Sequence, residues 1–390
     1  MVTDTALRVR IAGVQAALAE ERLAGLIVRL PEHLVLLAGY WPMLGRSALV
    51  LPASGEPVLI APEMERESLS RTFVSDIRTF PVWKLGDPPP DEGLARRLRD
   101  AVSERHLRGE RIGVERSADE ELAPTQKLTE PWHPTGPAQA ILETLGADLH
   151  DVTPLLTRLR ARKTPAELER LRVSREIAGF GLRAFSGAVE EGRTEAEVAA
   201  EVERAVMARG TGYKGTVHAR AEALVFSGAE RLNRVSWGLA ASTPRRMERG
   251  DLVMLELSTV ADGYYSDLTR MATAGPATAR QEALLAAVAA AQRAAIRAVR
   301  PGATGDAVDR AAREVLRAEG LADHFIHITG HGLGFRYHES IPLLYPGAED
   351  VLAEGMVTSV EPGIYAPSFG GIRIEDNVAV TADGAEVLGE

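Results

Sequence analysis

The amino-acid sequence predicts an α/β domain followed by an α+β domain. Its 390 residues exceed the usual size of one compact domain. The first part alternates short apolar runs with helical patterns, which is typical of α/β folds. The second part places long helical patterns around strand-like segments that carry acidic residues and histidines. We expect the boundary near Pro154, with one domain over residues 1–155 and the other over residues 156–390.

The first domain should contain one long amphipathic helix followed by buried strands. Apolar residues recur at helical spacing near the N-terminus, and short aliphatic runs follow. The predicted elements are a helix over Arg8 to Ala24 and strands over Gly25 to Leu30, Ser47 to Ser54, Glu56 to Pro62 and Arg111 to Glu115. The second and third strands should pair through the Ser54-Gly55 turn, whereas Pro88 to Pro90 should break any regular element.

The second domain is predicted to hold several long helices. The first should start at Thr164-Pro165, because proline suits the first helical position and Glu167 follows. Thr194 with Glu197 three residues on fits a capping box at the next helix. The later predicted helices run from Thr194 to Ala208, from Ala279 to Val299 and from Asp306 to Glu319.

Composition excludes several classes of protein. The net charge of −10 argues against nucleic acid or an anionic membrane as a partner. The absence of cysteine excludes disulfides and thiolate ligands. The N-terminal segment lacks a basic stretch followed by an apolar run, so we expect no signal peptide. No apolar stretch approaches the ~20 residues of a membrane span, and the cytoplasm is the expected compartment.

A predicted hairpin carries the first pair of candidate ligands. Glu256 lies in an apolar strand-like segment, Asp267 lies in the next one, and Ala261 to Gly263 between them suggest a tight turn. The two carboxylates could therefore face each other across the hairpin. Taken alone, the pair could equally be two solvated acids on an edge hairpin.

The segment Gly330 to Glu339 is more specific. Glycines on both sides of His331 let the backbone approach a ligand closely, and His338 follows in the same glycine-rich segment. Two histidines in such a segment favour a functional site over ordinary packed or surface histidines. We interpret His324 and His327, just before it, as supporting groups with a structural role.

Two further glutamates lie near the C-terminus. Glu361 ends a predicted strand just before Pro362-Gly363. In Gly370 to Val380, strand alternation should place Arg373 and Glu375 on one face, where the arginine could orient the carboxylate. The alternative for each is a solvent-exposed polar residue or ion pair.

Together these residues predict a metal site. Buried carboxylates repel one another and would have to take up protons, and divalent cations remove that cost. The predicted ligands are Glu256, Asp267, His331, Glu361 and Glu375. A site this rich in oxygen suits manganese, cobalt or zinc.

The four segments that carry these residues resemble the pita-bread metallopeptidase family, which includes methionine aminopeptidases and the Xaa-Pro peptidases prolidase and aminopeptidase P. The order acid, acid, histidine, glutamate, glutamate matches the family's five metal ligands. The α/β first part and Arg160 to Glu169 are similar to the Xaa-Pro peptidase branch. The resemblance implies a creatinase-like N-terminal domain over 1–155, a pita-bread catalytic domain over 156–390, two divalent metal ions per chain and a homodimer.

The resemblance also implies a function. The expected reaction is hydrolysis of short peptides by a metal-bridged water, with an Xaa-Pro dipeptidase or aminopeptidase as the expected activity. Asp267 and Glu375 would bridge the ions, Glu256 would bind one, and His331 with Glu361 the other. The expected catalytic residues are Glu361 as general base, His338 as hydrogen-bond donor to the oxyanion, and Arg373.

Two departures from the family pattern leave alternatives open. Glu256 stands where the family normally has aspartate, and Ser258 where it has glycine. The family also has a histidine in the segment that corresponds to Ser227 to Asp251, which here contains none. The candidates for that position are Asn233, Ser236 and Trp237, with His218 outside the segment. These departures favour either a creatinase-like, metal-independent C–N hydrolase or a catalytically silent peptide-binding protein as alternatives.

Overall fold

A computed structural model of the chain describes residues 4–83, 85–116, 141–234 and 241–389. They form two compact units, one ending at Arg160 and the other running from Ala161 to the C-terminus. The first unit is α/β and the second is α+β, so the predicted fold class is confirmed. In the described part of the chain, no helix is long and apolar enough to span a membrane.

The first unit is a mixed sheet with helices around it. Its helices are α1 (Asp4–Glu20), α2 (Pro31–Ala38), α3 (Arg66–Leu69), α4 (Pro90–Glu104) and α5 (Thr153–Ala161). Its strands are β1 (Gly25–Val28), β2 (Ala48–Pro52), β3 (Val58–Pro62), β4 (Asp76–Phe80), β5 (Arg111–Val114) and β6 (Asp148–Asp151). The strand order is β4-β3-β2-β1-β5-β6, with β1 antiparallel to β2 and parallel to β5.

The predicted helix and strands of this unit are confirmed, including the antiparallel pairing of β2 with β3. The predicted break is confirmed at Pro88 and Pro89, and α4 begins at Pro90 with Pro89 as its N-cap. Proline is tolerated there since the first helical residues need no intrahelical N–H donor. Helix α2, which also begins at a proline, was not predicted.

The second unit holds the candidate ligands. Its helices are α6 (Pro165–Ala188), α7 (Glu195–Gly210), α8 (Ala229–Arg234), α9 (Ala279–Ala298) and α10 (Gly305–Ala318). Its strands are β7 (Ala219–Ser227), β8 (Leu252–Ala261), β9 (Tyr264–Thr273), β10 (Gly330–Gly332), β11 (Glu339–Leu344), β12 (Val357–Val360), β13 (Gly363–Ala366), β14 (Gly370–Arg373), β15 (Asp376–Val380) and β16 (Ala385–Val387). Helices α6 and α7 start after Thr164 and Thr194, as predicted. The predicted capping box at Thr194 is present, and Thr164 forms one as well.

Strand β8 separates the helices from the candidate site. Its alternate residues Val253, Leu255 and Leu257 join an apolar cluster with residues of α6 and α7. Glu256 therefore points to the opposite face, because side chains alternate along a strand. Three strands form the antiparallel sheet β7-β8-β9, which supports that face.

A second sheet, of order β11-β10-β12-β15-β16, carries the remaining ligands. An apolar cluster that includes residues of α9 and α10 packs against it. The predicted continuous strand over Gly370 to Val380 is instead two strands, β14 and β15, that pair with different neighbours. Glu375 lies in the break between them, where the chain passes from one pairing to the other.

Candidate metal centre

The β8–β9 hairpin positions the first two carboxylates. In its register Glu256 is opposite Thr269, and Asp267 is opposite Ser258. The two acids therefore lie diagonally on one face rather than directly opposite each other. Asp267 is buried, and Glu256 is only partly exposed. This arrangement excludes the alternative of two solvated acids on an edge.

His331 lies on β10 and points its ring toward the carboxylates. Its Nδ1 lies 2.9 Å from the carbonyl oxygen of Gly332 and donates to it. Its Nε2 lies 3.3 Å from Glu361 Oε1 and 3.5 Å from Asp267 Oδ2. The tautomer with hydrogen on Nδ1 leaves the Nε2 lone pair available to a cation.

The glycines around His331 allow this approach. A Cβ on Gly330 would clash with the carbonyl of Ser359, and one on Gly332 with the carbonyl of Ile341. Strand β10 can therefore fit between its neighbours only with glycine at both positions. The sequence motif reflects tight strand packing around the ligand.

The two later glutamates complete the cluster. Glu361 follows β12, and the Ser359 hydroxyl donates to its Oε1 at 2.8 Å. Glu375 is fully buried, and the Thr269 hydroxyl lies 2.8 Å from its Oε2. Its Oε1 is buried and has no hydrogen-bond partner among the residues that the structure describes. A buried carboxylate oxygen without a donor is costly, and a cation would satisfy it.

The donor atoms lie close enough to share cations. Ligand atoms of Glu256, Asp267 and Glu375 lie within 4.8 Å of one another, as do those of His331, Glu361 and Glu375. Four carboxylates with one imidazole suit a hard or borderline divalent ion. These residues therefore fit the predicted metal site.

Electrostatics in the cluster also favour a cation. Burial, with the charge of Glu256, raises the pKa of Asp267 to about 6. Burial, with the charges of Asp267 and Glu361, raises the pKa of Glu375 well above its usual range. Burial alone would lower the pKa of His331, but its bonds to Asp267 and Glu361 outweigh burial and raise it to about 10. Asp267 and Glu375 therefore hold protons to a higher pH than ordinary carboxylates do, and His331 carries a proton that a bound cation would have to displace.

We expect metal affinity to fall as the pH falls. A cation requires ionised Asp267 and Glu375 and neutral His331, and every pKa of these groups is raised, so binding must displace protons. The dissociation constant for Mn²⁺ should rise between about pH 7.5 and about pH 5.5, by up to about tenfold per pH unit for each displaced proton. Calorimetric titration at several pH values measures this, and an affinity independent of pH would contradict it.

His338 lies beside the cluster. Its ring centroid is 4.3 Å from that of His331 and 4.7 Å from that of Tyr337, and the residue is partly buried. Its ligating nitrogen also lies within 4.8 Å of donor atoms of Asp267 and His331. The structure thus brings His338 to the edge of the centre, within reach of a bound substrate or ion.

Arg373 anchors Glu256 and links it to residues that sequence reasoning did not identify. Its guanidinium forms a short ion pair with Glu256 Oε2 and donates to Thr269 Oγ1 at 3.0 Å and to the Tyr365 hydroxyl at 3.0 Å. The Tyr365 hydroxyl lies 3.1 Å from His327 Nε2. Burial lowers the pKa of His327 to about 4, so this histidine is neutral and accepts from Tyr365. Arg373 therefore holds the Glu256 carboxylate in position. His327 contacts Arg373 through the Tyr365 hydroxyl, which is the structural role that the sequence predicts for this histidine.

Tyr337 was also missed. Its hydroxyl lies 2.6 Å from Glu256 Oε1 and forms a short hydrogen bond to Asp267 Oδ1. It is fully buried. The only signal in the sequence was a bulky aromatic residue directly before His338.

The remaining residues singled out in the sequence lie on other elements or outside the described residues. Asn233 is on α8, whereas Ser236 and Trp237 lie outside the described residues. His218 precedes β7, where Asp262 at the hairpin turn accepts its backbone N–H at 2.8 Å. Five strand residues separate this end of the hairpin from Glu256, or about 17 Å at the usual strand rise. His324 packs against Phe369, with ring centroids 5.5 Å apart.

The atypical ligand Glu256 gives a second prediction. If Glu256 holds an ion, Glu256→Ala should remove one metal and most of the activity. Glu256→Asp should also lower metal content, because a carboxylate one methylene shorter misses ligand distances that tolerate about 0.2 Å. Elemental analysis after reloading measures both, with Glu248→Ala as the exposed-glutamate control. Tighter binding in Glu256→Asp would show that glutamate is a handicap, and unchanged metal in both variants would exclude Glu256 as a ligand.

The fold and the centre together define a two-domain metallohydrolase, and comparison with known proteins places it in a family. Residues 169–382 match Metallopeptidase family M24, and residues 10–162 match the Creatinase/Prolidase N-terminal domain. The chain belongs to the M24 metallopeptidase family, whose members bind divalent metal. The predicted family resemblance is confirmed.

Similar proteins and a similar crystal structure support this family assignment. The chain is 33% identical over 384 residues to the "Probable dipeptidase PepE" of Mycobacterium tuberculosis, covering 96% of this chain and 92% of the relative. It is 37% identical over 230 residues to the "Xaa-Pro dipeptidase" of Pyrococcus furiosus, covering 59% and 63%. The crystal structure of the prolidase from Pyrococcus horikoshii OT3 matches with a TM-score of 0.76 and 25% identity, covering 98% of each chain.

Proposed function

We propose that this protein is a divalent-metal-dependent peptidase that hydrolyses short peptides at Xaa-Pro bonds, as a dipeptidase or aminopeptidase. The observation that carries the proposal is the buried cluster of four carboxylates and one imidazole, with an unsatisfied oxygen on Glu375. The similarity to proteins named dipeptidase and Xaa-Pro dipeptidase supports the substrate class.

Two ions, of manganese, cobalt or zinc, would be held by these residues. Glu375 is central, because it belongs both to the set with Glu256 and Asp267 and to the set with His331 and Glu361. Asp267 lies in the first of these sets and is also close to His331 and His338. Glu256 would complete one position, and His331 with Glu361 the other. When bound, such ions polarise a carbonyl and lower the pKa of a water molecule toward neutrality.

Glu361 is the residue best placed to accept a proton. It is partly exposed, with 14% of its side chain accessible, so a water can reach it. Burial would raise the pKa of Glu361, but His331 and Arg373 hold it below its usual value. The carboxylate is therefore ionised and able to act as a base.

His338 would donate a hydrogen bond to the substrate carbonyl. It is partly buried at the edge of the cluster and packs against both His331 and Tyr337. These aromatic contacts fix its ring without filling the exposed side. An N–H held in that way stabilises negative charge as it develops on the carbonyl oxygen.

A creatinase-like hydrolase that works without metal is the second candidate. One observation favours it, namely that protein donors already reach both oxygens of Glu256: Arg373 and Thr269 on Oε2, and Tyr337 on Oε1. The unsatisfied oxygen of Glu375 opposes it. The third candidate is a catalytically silent protein that binds peptides without hydrolysing them.

One experiment separates the three. Protein purified without chelator is stripped, reloaded with Mn²⁺, Co²⁺ or Zn²⁺, and assayed on dipeptides with and without C-terminal proline and on creatine. Up to two ions per chain and metal-dependent cleavage of Xaa-Pro dipeptides are expected. No bound metal after reloading at neutral pH overturns the proposal, and creatine turnover by stripped protein supports the second candidate. We also propose that the protein is a homodimer and that it is located in the cytoplasm. Light scattering measures the oligomeric state, and cell fractionation measures the location.

A further inference from the structure

We propose that the phenolic oxygen of Tyr337 is an additional ligand of the ion on the Glu256 side. This inference rests on the proposed metal dependence, and extends it to a residue that no ligand set described above includes. The hydroxyl of Tyr337 lies between two predicted ligands rather than behind either of them. It contacts Glu256 Oε1 at 2.6 Å and, more closely, Asp267 Oδ1.

Both contacts are at hydrogen-bond distance. Oxygen ligands about 2.1 Å from a divalent metal lie about 3 Å from each other when they subtend a right angle. The phenolic oxygen lies closer than that to both carboxylate oxygens, so the three oxygens would have to separate slightly to share an ion. Because the hydroxyl contacts two predicted ligands of one set, it is placed to join that set.

The hydrogen bonds of Tyr337 leave one contact to be explained. A tyrosine hydroxyl carries one hydrogen, so it can donate to only one of the two carboxylate oxygens it contacts. The other contact brings two oxygens together that need a shared proton or a cation, and a bound cation would serve for both carboxylates. The comparable contacts of Thr269 with Glu256 and Glu375 lie on the side that the Arg373 guanidinium occupies.

The chain holds Tyr337 in place. Its fully buried ring packs edge-on against His338, with 4.7 Å between ring centroids. Glu339 holds the segment around Tyr337 in place. Its Oε1 accepts a hydrogen bond from the backbone N–H of Phe335 at 2.9 Å, and its Oε2 lies 2.8 Å from Nζ of the buried Lys163. A ligand held this way is ordered before the metal arrives.

Glu256 and Tyr337 also fit each other. The longer glutamate side chain brings Oε2 to Arg373 and turns Oε1 toward the phenol. Glu256 Oε1, Asp267 and the Tyr337 oxygen then form an all-oxygen donor set. Such a set suits manganese, which favours oxygen ligands.

The test is Mn²⁺ titration of stripped protein, wild type against Tyr337→Phe. We expect one of the two ions to bind at least about 10–100-fold more weakly in the variant, since even indirect partners of metal ligands have effects of that size. Tyr345→Phe is the matched control, because Tyr345 is exposed at 39% and the same hydroxyl is removed there. It should bind both ions with wild-type stoichiometry.

A spectroscopic readout tests ligation directly. Protein loaded with Fe²⁺ and oxidised in air to Fe³⁺ should show the visible charge-transfer absorption of an iron–phenolate bond, with phenolate modes in resonance Raman. Both signals should be present in wild type and in Tyr345→Phe and absent from Tyr337→Phe. Because the wild-type spectrum needs no variant, it decides the matter even if Tyr337→Phe does not fold.

Three results would overturn the proposal: unchanged Mn²⁺ affinity in Tyr337→Phe, tighter binding there, or iron-loaded wild type without phenolate signals. Tighter binding would mean that Tyr337 closes the Glu256 side to metal. The outcome is separable from the proposed function. Peptide hydrolysis with unchanged metal binding in Tyr337→Phe defeats this inference alone, whereas phenolate ligation without hydrolysis defeats the peptidase proposal alone.

Discussion

Replacing Glu361 with glutamine should lower kcat on an Xaa-Pro dipeptide by about 10²–10⁴-fold, the usual contribution of a general base. The substitution keeps the shape of the side chain but removes the negative charge that accepts a proton. It should also weaken metal binding, because Glu361 lies in one of the two ligand sets. Steady-state kinetics at saturating Mn²⁺, with metal content measured on the same sample, separate the two effects.

The control for this variant is Glu354→Gln, an exposed glutamate a few residues earlier in the chain. It should retain both metal and activity. Activity in Glu361→Gln within a few fold of wild type would rule out Glu361 as the base. A full loss of metal at every Mn²⁺ concentration would show that ligation is its main role.

Replacing His338 with alanine should lower kcat by roughly 10²-fold or more, the scale of one lost hydrogen-bond donor to an oxyanion. Metal content should hardly change. His331→Ala should behave oppositely and empty a metal position, because Nε2 of His331 faces Asp267 and Glu361. Elemental analysis and kinetics on the two variants measure the contrast.

The two variants test neighbouring side chains, because the ring centroids of His331 and His338 lie 4.3 Å apart. If His338→Ala loses metal, His338 is a ligand, which its distance from Asp267 and His331 would allow. If His338→Ala keeps both metal and kcat, it has no part in the reaction. In either case, the assignment of His331 as a metal ligand would depend only on the metal content of His331→Ala.

Chemical type and local spacing were enough to predict much of this protein. The helices at Thr164 and Thr194 begin where their capping residues predict, since a capping box is a local interaction. The residues Glu256, Asp267, His331, Glu361 and Glu375 were selected as ligands from their types and apolar surroundings, and the fold brings them into one cluster.

Contacts between distant segments decided the rest. The diagonal placement of Glu256 and Asp267 depends on hairpin register, which the turn and the neighbouring strand set together. Glu375 sits in a break between strands because the segments on either side pair with different partners. Alternation along a single strand could not predict either arrangement.

Tyr337 shows the same limit most clearly. In a strand, Tyr337 and His338 would point to opposite faces, but here they lie in a bend and their rings pack against each other beside the carboxylates. That bend is held by the ion pair of Glu339 with Lys163, which is far away in the sequence. Residue types thus specify which chemistry is available, whereas long-range packing decides which atoms surround a bound ion.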